Sequence, residues 1–230
     1  MTWIAMIAII VFCYFATRKV TTGRPGGAQN VLEWVFEFIK GLITGNMDWK
    51  KGRSLLTYLV TLIMFIFFSN MLGLFPNLTF GLLHNVHFLE LNEIFHGPTL
   101  ASPTADVNTT LALAILTWFL FNGYGIFYNK GKYFKHFLEP MPPFVVIHLV
   151  EQVTKPMTLG MRLFGNIFAG EILIKVILTY IPTLALFLGG FVLNTVWLGF
   201  SVFVGAIQSF VFTVLTLAYV SQGVGSDEHH

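Results

Sequence analysis

Arg162 stands in Lys155-Pro-Met-Thr-Leu-Gly-Met-Arg-Leu-Phe-Gly-Asn-Ile-Phe-Ala-Gly-Glu171, where it is the only charge between Lys155 and Glu171. An arginine near the centre of a bilayer costs about 2.5–3.5 kcal/mol on insertion scales, so such residues mark ion or substrate paths. Its guanidinium stays protonated under almost any condition. A proton path that contains it therefore contains a fixed positive charge instead of a relay group. Polar residues extend from it at helical spacing. His148, Lys155 and Arg162 are seven apart, with Glu151, Gln152, Thr158 and Asn166 at intervening steps of three and four. A second polar series, Asn194, Ser201 and Gln208, recurs at seven-residue intervals further on. Two helices with facing polar seams can enclose water and protonatable groups inside lipid. Glu171, nine residues beyond Arg162, points roughly the opposite way, with Lys175 one turn on. The pattern suggests two wet clefts, one reaching each side of a membrane, with the arginine between them.

Such residues need long apolar elements to hold them, and the composition supplies these. Hydrophobic residues make up 55% of the 230-residue chain and charged residues 10%, with a mean hydropathy of +0.74. Charged residues average about 25% in soluble proteins, so the solvent for most of this chain is lipid. The expected class is an all-α polytopic membrane protein forming one domain over residues 1–230. A net charge of +2, with no basic run interleaved with aromatics, argues against a nucleic-acid partner. The single cysteine, Cys13, excludes an intrachain disulfide. His84, His87 and His96 fit no tight metal-ligand spacing, and no GxxxxGK[ST] phosphate loop occurs. Neither a metal nor a cofactor is expected, and nucleotide chemistry is not expected on this chain.

The elements follow from hydropathy and breakers. A first, short span is expected at 3–17, then a break at Pro25-Gly26-Gly27. At 28–45, polar Asn30, Glu33, Glu37, Lys40 and Thr44 alternate at helical spacing with Val31, Leu32, Val35, Phe38, Ile39 and Leu42, as in a helix lying in the membrane interface. Uncharged spans follow at 55–75, ended by Pro76 and Asn77, and at 107–128. The last two helices, 144–178 and 183–220, are longer than lipid is thick and read as a tilted hairpin turning at Pro182. This makes about five membrane-embedded helices and one interfacial helix. Lys and Arg cluster at 18–24, 40–53 and 130–135 and are absent from 76–106. The positive-inside rule then sets the N-terminus outside and the C-terminus in the cytoplasm.

Several of these residues also fit quieter roles. Glu171 and Lys175 suit an i,i+4 ion pair that eases insertion. His148 and Glu151 suit the headgroup level. Asn194 and Ser201 suit interhelical hydrogen bonding, and Asn70 and Asp106 suit helix caps or loop hydrogen bonds. A stand-alone transporter or channel that holds an anionic solute on its arginine is the alternative reading. It calls for internal repeats and broken helices, and none is evident.

Leu159-Gly-Met-Arg-Leu-Phe-Gly-Asn-Ile-Phe-Ala-Gly-Glu171 resembles the signature of the subunit a family of bacterial rotary F-type ATP synthases. Ser69-Asn-Met-Leu-Gly-Leu74, Ser102-Pro-Thr-Ala-Asp106 and Ile207-Gln-Ser-Phe-Val-Phe-Thr-Val-Leu-Thr216 add to the resemblance, which covers most of the chain from Gln29 onward. Two departures from the resemblance stand out: the external N-terminal segment common in bacterial members is expected to be short, and Ser201 stands where some relatives carry a histidine. The resemblance implies a non-catalytic stator subunit in the cell membrane. Its partners would be a rotating c-ring, the subunit b peripheral stalk, the remaining ATP synthase subunits and the lipid bilayer. Arg162 would be the essential charge facing the ring carboxylate. Glu171, Asn166, Gln208, Ser201, Asn194, His148, Glu151 and Asp106 would line the proton pathway. Arg162, Asn166, Ser201 and Gln208, with Leu159, Gly165, Ala169 and Gly205 beside them, are expected on the face that meets the ring.

Overall fold

The computed structural model describes residues 2–18, 26–83, 102–138, 144–180 and 191–224, and among these it contains helices and turns only. The long helices are α1 (Thr2–Thr17), α2 (Gly27–Asn46), α4 (Leu56–Leu83), α5 (Val107–Leu138), α6 (Phe144–Tyr180) and α7 (Phe191–Val224). A short turn of helix, α3 (Trp49–Gly52), leads through Arg53–Leu55 into α4, and a single tight turn at Pro103–Ala105 precedes α5. Pro182 and the histidines at 84, 87 and 96 lie outside the described residues.

Among the described residues, three stretches are both long and apolar enough to cross a membrane: Trp49–Gly73, Val107–Tyr128 and Thr195–Val224, with mean hydropathies of 2.1, 1.6 and 2.0. The polar residues at its centre set α6 apart from these. In lipid a helix satisfies its own backbone, which is why these segments are helical despite many β-branched and aromatic side chains.

α4 continues to Leu83, through Pro76 and Asn77, where the sequence suggested a stop. A proline removes one N–H from the helical ladder, and membrane helices tolerate that loss where neighbouring groups compensate. α5 likewise runs past residue 128 through Lys130, Lys132 and Lys135.

α5 packs against α6 and α7, and α4 packs against α7 and α1. α2 lies across α4, α1 and α7, burying Val35, Ile39 and Ile43 while Asn30, Glu33, Glu37, Lys40 and Thr44 stay exposed. Those three side chains join Leu55, Leu59, Phe121, Leu217 and Val220 in one apolar cluster. A second cluster, Leu62, Ile66, Ala114, Leu159, Leu163 and Phe212, joins the middles of α4, α5, α6 and α7. It fixes which side of α6 looks inward. Gly160 completes that contact: a Cβ there would meet Leu111 Cδ2 at 3.1 Å and the Thr110 carbonyl oxygen at 3.2 Å, so α5 and α6 approach closely only at a glycine.

Candidate functional site

The rotation of α6 is set by Leu159 and Leu163, which are 2% and 0% exposed. Arg162, one residue from Leu163, is therefore turned outward with Thr158, Met161, Asn166 and Ala169. Among the described residues its guanidinium has no hydrogen-bond or ion-pair partner. The result is a permanent charge on the outer face of a membrane helix, amid exposed apolar side chains such as Met157, Met161 and Phe168.

One turn along, Asn166 Nδ2 donates to Gln208 Oε1 at 2.9 Å, linking α6 to α7. Gln208 is 3% exposed, and its Nε2 has no partner among the described residues. A buried amide with one end bonded and the other unmade is costly, by about 1–3 kcal/mol. Ser201 Oγ and Trp197 Nε1, further up α7, are buried and unpartnered in the same way. Gly170 lies opposite, where a Cβ would sit 4.0 Å from Ser201 Oγ. The α6–α7 seam thus carries unsatisfied polar atoms from Gln208 to Trp197, beginning one turn along α6 from Arg162.

Three residues expected on the ring face are inside instead. Leu159 belongs to the apolar cluster, and a Cβ on Gly205 would lie 3.2 Å from Asn70 Cβ. Gln208 is also turned inward, toward Asn166. Periodicity groups residues onto a face without saying which neighbour that face meets. α7 is packed on α4 along this side, so the seam carrying Gly205 and Gln208 became interior.

The series on the N-terminal half of α6 also divides. His148, Gln152 and Lys155 are half-buried, whereas Glu151, Thr158 and Arg162 are exposed. A helix drifts by about 20° per heptad from a strict seven-residue repeat, so a line through 148, 155 and 162 rotates out of the seam. Lys155 Nζ lies 3.5 Å from Glu151 Oε2 and 5.6 Å from the centre of the Tyr219 ring on α7. Gln152 Oε1 is buried without a partner, and Pro156 has no N–H to offer the Gln152 carbonyl one turn back. Asp106 caps α5, accepting from Asn108 N at 3.0 Å and Asn108 Nδ2 at 3.2 Å. Glu171 and Asn194 lie on α6 and α7 respectively, and their side chains are outside what the structure describes.

One feature where α7 meets α4 was not legible as a site. Asn70 Nδ2 on α4 donates to the Gly205 carbonyl oxygen at 3.0 Å, and Asn70 Oδ1 accepts from Thr104 Oγ1 at 2.7 Å. Ser102 Oγ donates to the Ser69 carbonyl oxygen at 2.8 Å and lies 2.7 Å from Thr104 Oγ1. Gly73 lets the Ser102 turn sit directly on α4, since any Cβ there would collide with Ser102. These residues clamp α7 at Gly205, three residues before Gln208. The available signal was the pairing of Ser69-Asn70 with Ser102-Pro-Thr104, whose meaning depends on a tertiary contact.

Comparison with known proteins places the whole chain in one family. Residues 1–221 match the family described as ATP synthase A chain. The ATP synthase subunit a of Desulforamulus reducens is 41% identical over 231 residues, covering 100% of this chain and 80% of that protein. Those of Priestia megaterium and Listeria monocytogenes are 41% and 40% identical, covering 99% and 100% of this chain and 91% of each relative. An all-helical membrane chain matched along nearly its whole length, this protein belongs to the ATP synthase subunit a family.

Proposed function

We propose that this chain is the stationary proton-conducting element of an F-type ATP synthase, working against a rotating ring of small c subunits and held by the subunit b stalk. Family membership carries the coarse statement: it is a membrane protein of the ATP synthase, assembled with other subunits of that enzyme and serving its proton transport and ATP synthesis. The observation that carries the finer reading is Arg162, exposed and unpaired on the outer face of α6, one turn from the Asn166–Gln208 bond.

Each ring subunit would bring one membrane carboxylate past Arg162. A proton arriving through an outer half-channel neutralises that carboxylate, which can then turn into lipid. After nearly a full turn the group meets the inner half-channel and the proton leaves. The carboxylate, now ionised, is drawn to Arg162, whose positive charge favours the ionised form. The same fixed charge opposes proton passage straight from one cleft to the other. The unpartnered amide nitrogen of Gln208 and the hydroxyl of Ser201 suit a hydrated seam close to the arginine. Glu171, beyond Arg162 on α6, is assigned to the outer half-channel with Asn194. His148 and Glu151 are assigned to the inner one, and Asp106 to the outer mouth. The basic stretches around 50 and 130 support an N-terminus outside and a C-terminus in the cytoplasm of a bacterial cell.

The test is proton pumping by the assembled enzyme carrying Arg162→Ala, reconstituted in vesicles. ATP-driven pumping should vanish while ATP hydrolysis by the soluble sector stays measurable. Pumping near the native rate would remove the proposal.

A further inference from the structure

Away from the α6–α7 seam, the structure has a groove of about 560 Å³ at the end of α5 nearest the basic turn α3. Phe119, Gly123 and Phe127 line it, with Tyr124, Tyr128 and Ser54 along its edge. Phe119 and Phe127 are 63% and 76% exposed, so the groove opens outward. Gly123 makes the depression, since a Cβ there would find no atom within 4 Å. The volume falls within the range of small-molecule sites, about 300–1,000 Å³.

The groove is tied to a cluster of positive charge. Tyr124 Oη donates to Ser54 Oγ at 2.9 Å, and Tyr128 Oη donates to the Lys51 carbonyl oxygen at 3.4 Å. These bonds hold the aromatic rim against the turn bearing Lys50, Lys51 and Arg53. None of these three has an acidic partner among the described residues. The nearest carboxylate in sequence, Asp48, caps the turn by accepting the N–H of Lys50. α5 then continues through Lys130, Lys132 and Lys135. The apolar floor adjoins the tyrosine hydroxyls, and these adjoin the basic turn, an order that suits the acyl chain, glycerol ester and phosphate of a phospholipid.

We infer that this groove is a selective site for an anionic phospholipid, its acyl chain lying on Gly123 between Phe119 and Phe127 and its phosphate held by Lys50, Lys51 and Arg53. A zwitterionic lipid fills the same groove but carries a compensating amine, so it gains little from the basic turn. A protein helix would cover Phe119 and Phe127 as well, yet would bury three cations that a phosphodiester neutralises. Basic pockets between membrane helices suit anionic headgroups for this reason. The site is independent of Arg162 and does not rest on the proton pathway.

The test uses the assembled complex with Phe127→p-benzoylphenylalanine, reconstituted in vesicles of equimolar phosphatidylglycerol and phosphatidylethanolamine and irradiated. The mass of the adduct on this chain reports its neighbour. Phosphatidylglycerol adducts should exceed phosphatidylethanolamine adducts on the order of tenfold. Lys50→Gln, Lys51→Gln and Arg53→Gln together should return the ratio to that of the bulk lipid. Gly123→Leu, which fills the depression and leaves the charges, should reduce lipid adducts of both kinds. Adducts at the bulk ratio in the native background would overturn the proposal, as would a ratio insensitive to the charges or an adduct to another protein subunit.

Discussion

Two polar clusters flank α7 within a few residues of each other, and they are built differently. Around Asn70, three helical segments meet and nearly every polar atom is paired. Asn70 bonds both Gly205 and Thr104, and Ser102 bonds Ser69 and Thr104, leaving only the Ser69 hydroxyl unmatched. Around Gln208, the amide nitrogen, the Ser201 hydroxyl and the Trp197 indole N–H are all buried and unpartnered, and Arg162 faces outward alone. A paired buried cluster stabilises a packing arrangement, because breaking one bond strands its partner. An unpaired one is costly to the isolated chain, and strain of that kind concentrates at functional sites. The Asn70 cluster therefore reads as the clamp and the Arg162–Gln208 region as the working surface it steadies.

The difference predicts separable consequences. The largest belongs to Arg162→Lys, which keeps the charge but loses the planar fork. ATP-driven pumping should be abolished or severely reduced in assembled complexes, measured by pH-sensitive dye quenching in vesicles. Glu171→Gln should slow proton flux while leaving assembly intact, and Glu171→Asp should keep part of the flux. A native rate in the glutamine variant would reduce Glu171 to a packing residue.

Next come Asn166→Leu and Gln208→Leu. Each breaks one bond between α6 and α7 and should lower pumping several-fold. The double variant should cost less than the sum, since the two amides act through one hydrogen bond. Strict additivity of the two losses would mean that the bond does not couple them. Asn70→Ala should act on stability instead, by about 1–3 kcal/mol from the stranded Gly205 and Thr104 groups. Thr104→Val should cost less, about 1 kcal/mol. Thermal unfolding of the purified complex gives the stability, and pumping per assembled complex gives function. If Asn70→Ala abolished pumping in complexes of native stability, the assignment of clamp and working surface would be reversed.

Much of the fold can be read directly from hydropathy. Uncharged runs from Leu55 and Val107 begin where helices begin, and the amphipathic pattern after Gly27 gives a helix with Val35 and Ile39 buried. The limits of that reading have physical causes. Pro76 marks a weak point in a helical ladder, but lipid offers the chain no better partner than its own helix, so α4 continues. Seven-residue spacing put His148 and Arg162 on one line, and the drift per heptad separated them into half-buried and exposed positions. The inward turn of Leu159, Gly205 and Gln208 could not be read from one helix at a time. It depends on which side of α7 meets α4 and which side of α6 meets α5, and those contacts are set by Gly160, Gly205 and the Asn70 bonds.

The central claim is that the outward side of α6, the side bearing Arg162, is the one that meets the ring. The most direct measurement is disulfide crosslinking in native membranes, with Cys13 replaced, between cysteines on the outer helix of the ring and single cysteines along α6 and α4. Ala169→Cys and Asn166→Cys should crosslink readily. Leu163→Cys, Gly205→Cys and Val60→Cys, all buried inside this chain, should give little product. Equal yields from both sets, or crosslinks from the buried set alone, would contradict the account.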